Sequence, residues 1–493
     1  MRRLRVNATI RVMSRADWIA LALLTVGGGV LRFARLARPG DLVFDEIFYA
    51  RNACWYVHAS PSVCGIDGLV SRAHPPLGNW LIGAGILAAG YDSFGWRLAS
   101  AIAGTVTIAL VFILARRLSG STMVGCVAAG LLAVDFLHFV HSRLAMLDVF
   151  VTLFAVAAFL FAVSDLARDR RRAARDGEAQ TGRGRWVSRL VLGRPWRLAA
   201  GAAAGAAIAC KWSGGLVLIG VIGLTFAWEL HARWTDGGGR PLHRTVRDEL
   251  PSVVAWLLVA PLAVYLVSYT GRVPGSPLVP PWQEGSWLGA VLDHQAAMLG
   301  FHTGLGGHHP YESPPWSWLL LKRPVAYYFD VFEGGYQEIL ALGNPLVWWP
   351  SMGALAFLAI RAVRRRAAGS ADLVALLGFA ITLLPWVMLR GDRSQVFIFY
   401  LLPTVPFMCL ALALAVQALG RSLAGRVATV AFLGAALTVF VFFYPILAAL
   451  PIAPDQWRTR ILFDDCATAA RGVSTLPDAE TASGDPPAGW CWR

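Results

Sequence analysis

Apolar stretches of roughly 20 residues, the length a helix needs to cross hydrocarbon, recur along the whole chain. Short polar or basic segments separate most of them, and two much longer ones break the series. About eleven stretches reach that length, starting near Trp18, Leu98, Thr122, Ala145, Leu198, Gly214, Ser252, Ala341, Leu373, Val396 and Val427. The pattern predicts an all-α polytopic membrane protein. The two long interruptions run from about residue 36 to 96 and from about 270 to 340, and are rich in Pro, Gly, Trp and His. Long connections of this kind usually carry function. Within the first, Leu77 to Gly90 is apolar but too short to span, and reads as a helix lying in or dipping into the interface. No internal repeat or low-complexity tract is evident.

Composition agrees: of 493 residues, 56% are hydrophobic and only 15% charged, with mean hydropathy +0.55, far from the soluble norm. The net charge of +14 would suit nucleic acid, but its placement excludes that reading, because the Arg residues cluster between apolar spans. Lys and Arg bias in short loops sets orientation. A cytoplasmic N-terminus (Arg2, Arg3, Arg5, Arg11, Arg15) and strict alternation put Arg116 and Arg117, Arg244 and Arg247, and Arg361 with Arg364 to Arg366 inside. The segment from Asp165 to Arg197, with ten Arg against four acids, also falls inside, where it meets solvent or anionic headgroups. Both long interruptions and a C-terminal tail, 451–493, then face outside, with 1–450 as one transmembrane domain. Among seven Cys, Cys54 with Cys64, and more weakly Cys466 with Cys491, are placed to pair in an oxidising compartment. Cys126, Cys210 and Cys409 read as packing residues. The basic N-terminus followed by an apolar stretch reads as a retained first helix rather than a cleaved signal.

The chemistry concentrates in the exterior segments. "FDEIFYA" places Asp45 and Glu46 just after the first span, among Phe44, Phe48, Tyr49 and Trp55. A carboxylate in a protein-walled, watered recess can take the proton of an attacking hydroxyl; the plainer reading is a polar anchor at the headgroups. "HPPLG" holds His74 on a backbone stiffened by two prolines, or is simply a turn. "HSRLAMLD" carries Arg143 near the outer surface and Asp148 over a turn deeper. An ionisable residue inside a span is a functional candidate, the alternative being an Arg–Asp pair that ties helices. Lys211 in "CKWSGG" neutralises a phosphate or snorkels. "RGDRSQ" adds Arg390 and Arg393 in an exterior turn, against the positive-inside trend. "HHPYESPPWSWLLLKRPVAYYF", with His309 and Tyr311, looks like a surface that reads a sugar, lipid or peptide. No Walker A, GxGxxG or metal-spaced carboxylate cluster is present. A glycosyl donor used outside would arrive with its phosphate on a lipid.

Taken in order, "FDEIFYA", "HPPLGNWLIG", "HSRLAMLD" and "CKWSGG" resemble the motifs of the protein O-mannosyltransferases, which have the GT-C fold. "HPYESPPWSWLLLKRPVAYYF" resembles the actinobacterial members. The resemblance covers about Asp17 to Leu450. It implies inverting transfer of mannose from polyprenyl-phosphate-mannose to Ser or Thr hydroxyls of secreted proteins at the outer face of the bacterial cell membrane. It implies Asp45 as base, Glu46 placing acceptor or base, and Arg143 and Lys211 at the donor phosphate. Arg390 and Arg393 are expected to join them there, with His74, Asp148, His309 and Tyr311 toward substrate. No cofactor is required; a divalent ion at Asp45 and a partner is left open. The secretion translocon is an expected partner. The segment 270–340 is too short for the β-trefoil module inserted in eukaryotic members, and Asn79 stands where the family usually has Lys. Two competing readings are a GT-C enzyme with a glycolipid or cell-wall glycan acceptor, and a transporter, which would show repeats with broken helices.

Overall fold

The helices begin where apolarity begins, and their ends are fixed by polar caps. In this computed structural model, residues 13–176, 193–235, 239–270, 287–305, 309, 311–332, 334–364, 370–389, 395–420 and 422–461 are described. The first span, α1 (Arg15–Phe33), opens on a Ser14 and Asp17 capping box. Then come α2 (Glu46–His58), the single turn α3 (Pro61–Cys64) and α4 (Leu77–Ala89). Next are α5 (Ser93–Ser119), α6 (Thr122–Ala133), α7 (Phe136–His141) and α8 (Leu147–Asp176). They are followed by α9 (Pro195–Cys210), α10 (Gly215–Thr235), α11 (Pro241–Val267), α12 (Trp287–Thr303) and α13 (Pro315–Trp318). A hairpin of β1 (Val325–Phe332) and β2 (Gly335–Ala341) precedes α14 (Pro345–Arg364), α15 (Ser370–Leu389), α16 (Ile398–Ala418), α17 (Leu423–Leu447) and the short α18 (Pro454–Arg458).

Each expected stretch falls in or beside a helix. Among the described residues, nine helices are long and apolar enough to span a bilayer, and the chain is a multi-pass membrane protein. The third and fifth expected spans are shorter, α6 and α9. The third is interrupted because Asp135 caps α7, accepting from His138 N at 2.9 Å, while its other oxygen accepts from Trp348 Nε1 at 2.9 Å. Asn344 completes the break, donating to the orphaned carbonyl of Val134 at 2.9 Å. A span can thus be broken where neighbouring helices re-satisfy its backbone.

The two long interruptions hold more structure than interfacial helices alone. The antiparallel hairpin within 270–340 was not legible as strands, and its register slips at Tyr327, between Ala326 and Tyr328. The start of the tail belongs to the body: Ile452 bridges Tyr336, and buried Trp457 donates to Glu338 Oε2 at 2.6 Å. Cys54 and Cys64 are disulfide-bonded, closing α2 onto α3. Cys466, Cys491, Arg390 and Arg393 lie outside the described residues. At the other end of the helices, ion pairs stitch the bundle: Asp17 with Arg116, Arg361 with Asp372, and Arg194 and Arg197 with Asp165 and Glu249.

Candidate active site

Asp45 and Glu46 are chain neighbours with opposite employments. Glu46 is fully buried. Its oxygens accept from Arg97 Nε at 2.9 Å and Nη2 at 2.7 Å, from Val43 N at 3.0 Å and from Ala145 N at 2.8 Å. Arg97 also donates to the carbonyls of Leu36, Pro39 and Asp41. These contacts make Glu46 the keystone of the α1–α2 connection, a position from which it can place the neighbouring Asp45 rather than an acceptor. Asp45 occupies the N-cap of α2 yet makes no capping hydrogen bond, so the local role an Asp usually takes there is forgone. Its carboxylate accepts from the Tyr49 hydroxyl and lies within electrostatic reach of Lys211 and Asp148. Burial pushes it up to about 6, Asp148 adds to the rise, and Lys211 and Tyr49 oppose it.

Lys211 follows the last residue of α9. Its Nζ donates to both Asp148 oxygens at 3.0 Å, and lies 4.8 Å from the ring centre of Tyr400, a cation–π arrangement. The structure thus brings Asp45, Asp148 and Lys211 together. The "HPPLG" segment comes close by a small-residue approach: a Cβ on Gly78 would sit 2.5 Å from Leu147 Cδ2 and 3.8 Å from Cys210 Cβ, the neighbours of Asp148 and Lys211. It carries His74 to 5.9 Å from Tyr49, ring to ring, and 5.5 Å from His302.

Arg143, expected at the donor phosphate, is engaged by backbone carbonyls in this structure. Its guanidinium donates to the carbonyls of Leu31 at 3.3 Å, Arg32 at 3.0 Å, Ala34 at 2.5 Å and Arg35 at 3.2 Å, and sits over the Phe139 ring at 5.2 Å. It caps the carboxyl end of α1, where orphan carbonyls need donors. His309 and Tyr311 stand one ring layer back. His309 meets Phe397 edge-on at 5.1 Å, Phe397 stacks on Phe399 at 5.3 Å, and Phe399 lies 6.0 Å from Lys211 Nζ. Burial lowers the His309 imidazole and raises the Tyr311 phenol to about 12.

Arg97, His141, Tyr327 and Tyr400 also shape the site and were missed in the sequence. Arg97 alone had a signal there, as a lone cation in the first turn of an apolar helix. Among the described residues, no group of three or more His, Cys, Asp or Glu is arranged to hold a metal.

Comparison with known proteins then bears on the chain as a whole. A family model described as dolichyl-phosphate-mannose-protein mannosyltransferase matches residues 22–272. One described as the C-terminal four-transmembrane region of protein O-mannosyltransferase matches 288–466. A polyprenol-phosphate-mannose–protein mannosyltransferase of Mycobacterium tuberculosis is 34% identical, with 90% of this chain and 91% of that protein covered. A protein of the same name from Mycolicibacterium smegmatis is 33% identical, covering 90% and 92%. The Saccharomyces cerevisiae protein O-mannosyltransferase Pmt1-Pmt2 complex, solved with its sugar donor, superposes with TM-score 0.69 at 15% identity, over 92% of this chain and 93% of that one. That likeness shows the GT-C fold.

Proposed function

Because the chain belongs to the protein O-mannosyltransferase family, we propose that it transfers mannose from polyprenyl-phosphate-mannose to Ser or Thr hydroxyls of proteins on the extracytoplasmic side of the membrane. The observation that carries the reading at the level of the site is the grouping of one carboxylate freed from capping, Asp45, with one buried cation, Lys211.

Asp45 takes the acceptor hydroxyl proton as that oxygen attacks the anomeric carbon. The bond from that carbon to the phosphate oxygen breaks, and the leaving lipid phosphate keeps the electron pair. Lys211 lies where that charge develops, which is the most effective place for a cation. Asp148 holds Lys211 in position before the donor arrives. His74, His309 and Tyr311 serve the sugar and acceptor side. Backside attack inverts the anomeric centre. The scheme uses no metal or organic cofactor. The basic segment 165–197 faces the cytoplasm in this arrangement, and a polypeptide emerging from the secretion translocon is the setting in which acceptors arrive.

Membranes containing the protein, given labelled polyprenyl-phosphate-mannose and a Ser/Thr-rich peptide, are expected to label the peptide with EDTA present or absent. Label that enters lipid or glycan and never peptide would overturn the acceptor; label lost on chelation and restored by a divalent ion would overturn the metal-independent scheme.

A further inference from the structure

Two irregularities of the backbone meet through one side chain of the hairpin. The ladder between β1 and β2 slips register at Tyr327; extra residues of this kind recur beside functional sites because they re-aim a side chain. The re-aimed side chain is buried, and its ring stacks on Phe44 with centroids 4.4 Å apart. Phe44 has φ 50, a left-handed conformation that a bulky residue adopts only when its surroundings impose it. Phe399 closes on the same ring edge-on at 5.9 Å. The residue held this way directly precedes Asp45. The Tyr327 hydroxyl shares a 2.8 Å hydrogen bond with His141 Nε2, and His141 is within electrostatic reach of both Asp148 and Lys211.

We propose that Tyr327 is a positioning residue for the transfer reaction: its ring clamps Phe44 and so sets Asp45, while its hydroxyl holds His141 beside the Asp148–Lys211 pair. Base and cation come from different elements, α2 and the α9–α10 connection, and Tyr327 spans both. The hairpin thereby fixes how far the attacking oxygen stands from the leaving phosphate. Such a device acts on the aligned complex, because small misplacements of reacting groups cost rate far more than affinity. The proposal rests on Asp45 being the base, so the test carries an independent control for that.

Full-length protein in membranes or detergent would be assayed with polyprenyl-phosphate-mannose and a Ser/Thr peptide. The variants are Tyr327→Phe, His141→Phe, their double, Tyr327→Ala and Asp45→Asn. Tyr327→Phe keeps the ring and is expected to lower kcat about tenfold while both KM values stay within about twofold. The double variant is expected to be no slower than the slower single, because the two side chains act through one bond. Wild-type kcat in Tyr327→Phe or additive losses in the double would overturn the hydroxyl's hold on His141; wild-type kcat in Tyr327→Ala, which removes the ring, would overturn the clamp on Phe44, as would a loss that only follows the folded fraction. Near-normal turnover by Asp45→Asn would instead remove the base on which it depends.

Discussion

At the scale of single residues, the chemistry turns on what each carboxylate is already doing. Glu46 has all its acceptor capacity engaged by Arg97 and two backbone N–H groups, so it has nothing left for a substrate. Asp45 gives up its cap and is lifted to about 6 by burial, near the pH at which a base is most useful. A carboxylate raised in this way is ionised, and competent as a base, above its pKa. The rate is therefore expected to fall about tenfold per pH unit below 6 and to level off above it. Asp45→Asn is expected to lose about 10²- to 10⁴-fold in kcat and to lose the acid limb with it. A pH–rate profile checks both; a limb centred near 4, or one retained by the Asn variant, would take the role away from Asp45. The sequence singled out "DE" but not which contacts each acid makes. That division is made by Arg97, fifty-odd residues away and visible only once α5 packs beside the α1–α2 connection. The contacts of Arg143 were illegible for the same reason. An Arg near an outer rim is chemically suited to phosphate, and only the fold reveals that α1 ends there with carbonyls to satisfy.

At the scale of elements, hydrophobic length located the helices because bilayer thickness sets a length that sequence displays directly. It failed where tertiary contacts override periodicity. The break between α6 and α7 depends on Asn344 and Trp348 from α14, far along the chain. The hairpin was hidden because "VAYYFDVF" and "GYQEILA" are apolar on both faces near the bundle, and short apolar runs do not distinguish strand from buried helix. The hairpin also carries a pH-sensitive joint. Glu338 is fully buried against Trp457 of α18, and burial raises it to about 8 from an ordinary 4.5. Between those values the folded protein holds a proton that the unfolded chain has released. The contribution of Glu338 to stability is then greatest below pH 4.5, declines as pH rises toward 8, and is flat beyond. Glu338→Gln keeps an acceptor for the Trp457 indole and removes the charge. It is expected to raise the melting temperature above pH 7 and to change little at pH 4.5. Equal melting temperatures across that range would show that Glu338 is ionised without penalty.

At the scale of the molecule, the two ends of the bundle are built from different chemistry. One end holds Asp45, Asp148 and Lys211 under the hairpin and the helices of the first long interruption, 36–96. The other is a lattice of buried Arg and acid pairs in which Arg194 and Arg197 join Asp165 to Glu249. Asp148 and Asp165 lie on one helix, 17 residues apart in number, which at 1.5 Å per residue is roughly 26 Å. That separation approaches the thickness of the hydrocarbon layer, about 30 Å, so the two ends belong in opposite headgroup regions. In the proposed orientation the ion-paired end faces the cytoplasm, as the Lys and Arg bias of the sequence predicts, and a lipid-linked donor meets Asp45 from outside. Single cysteines test this in intact cells. Asp67→Cys is exposed beside the disulfide-closed turn, and His243→Cys is exposed in the first turn of α11. A membrane-impermeant maleimide is expected to label the first in intact cells and the second only after permeabilisation. Reversed accessibility would put the recess on the cytosolic side, where secreted acceptors are absent, and the proposed reaction could not take place there.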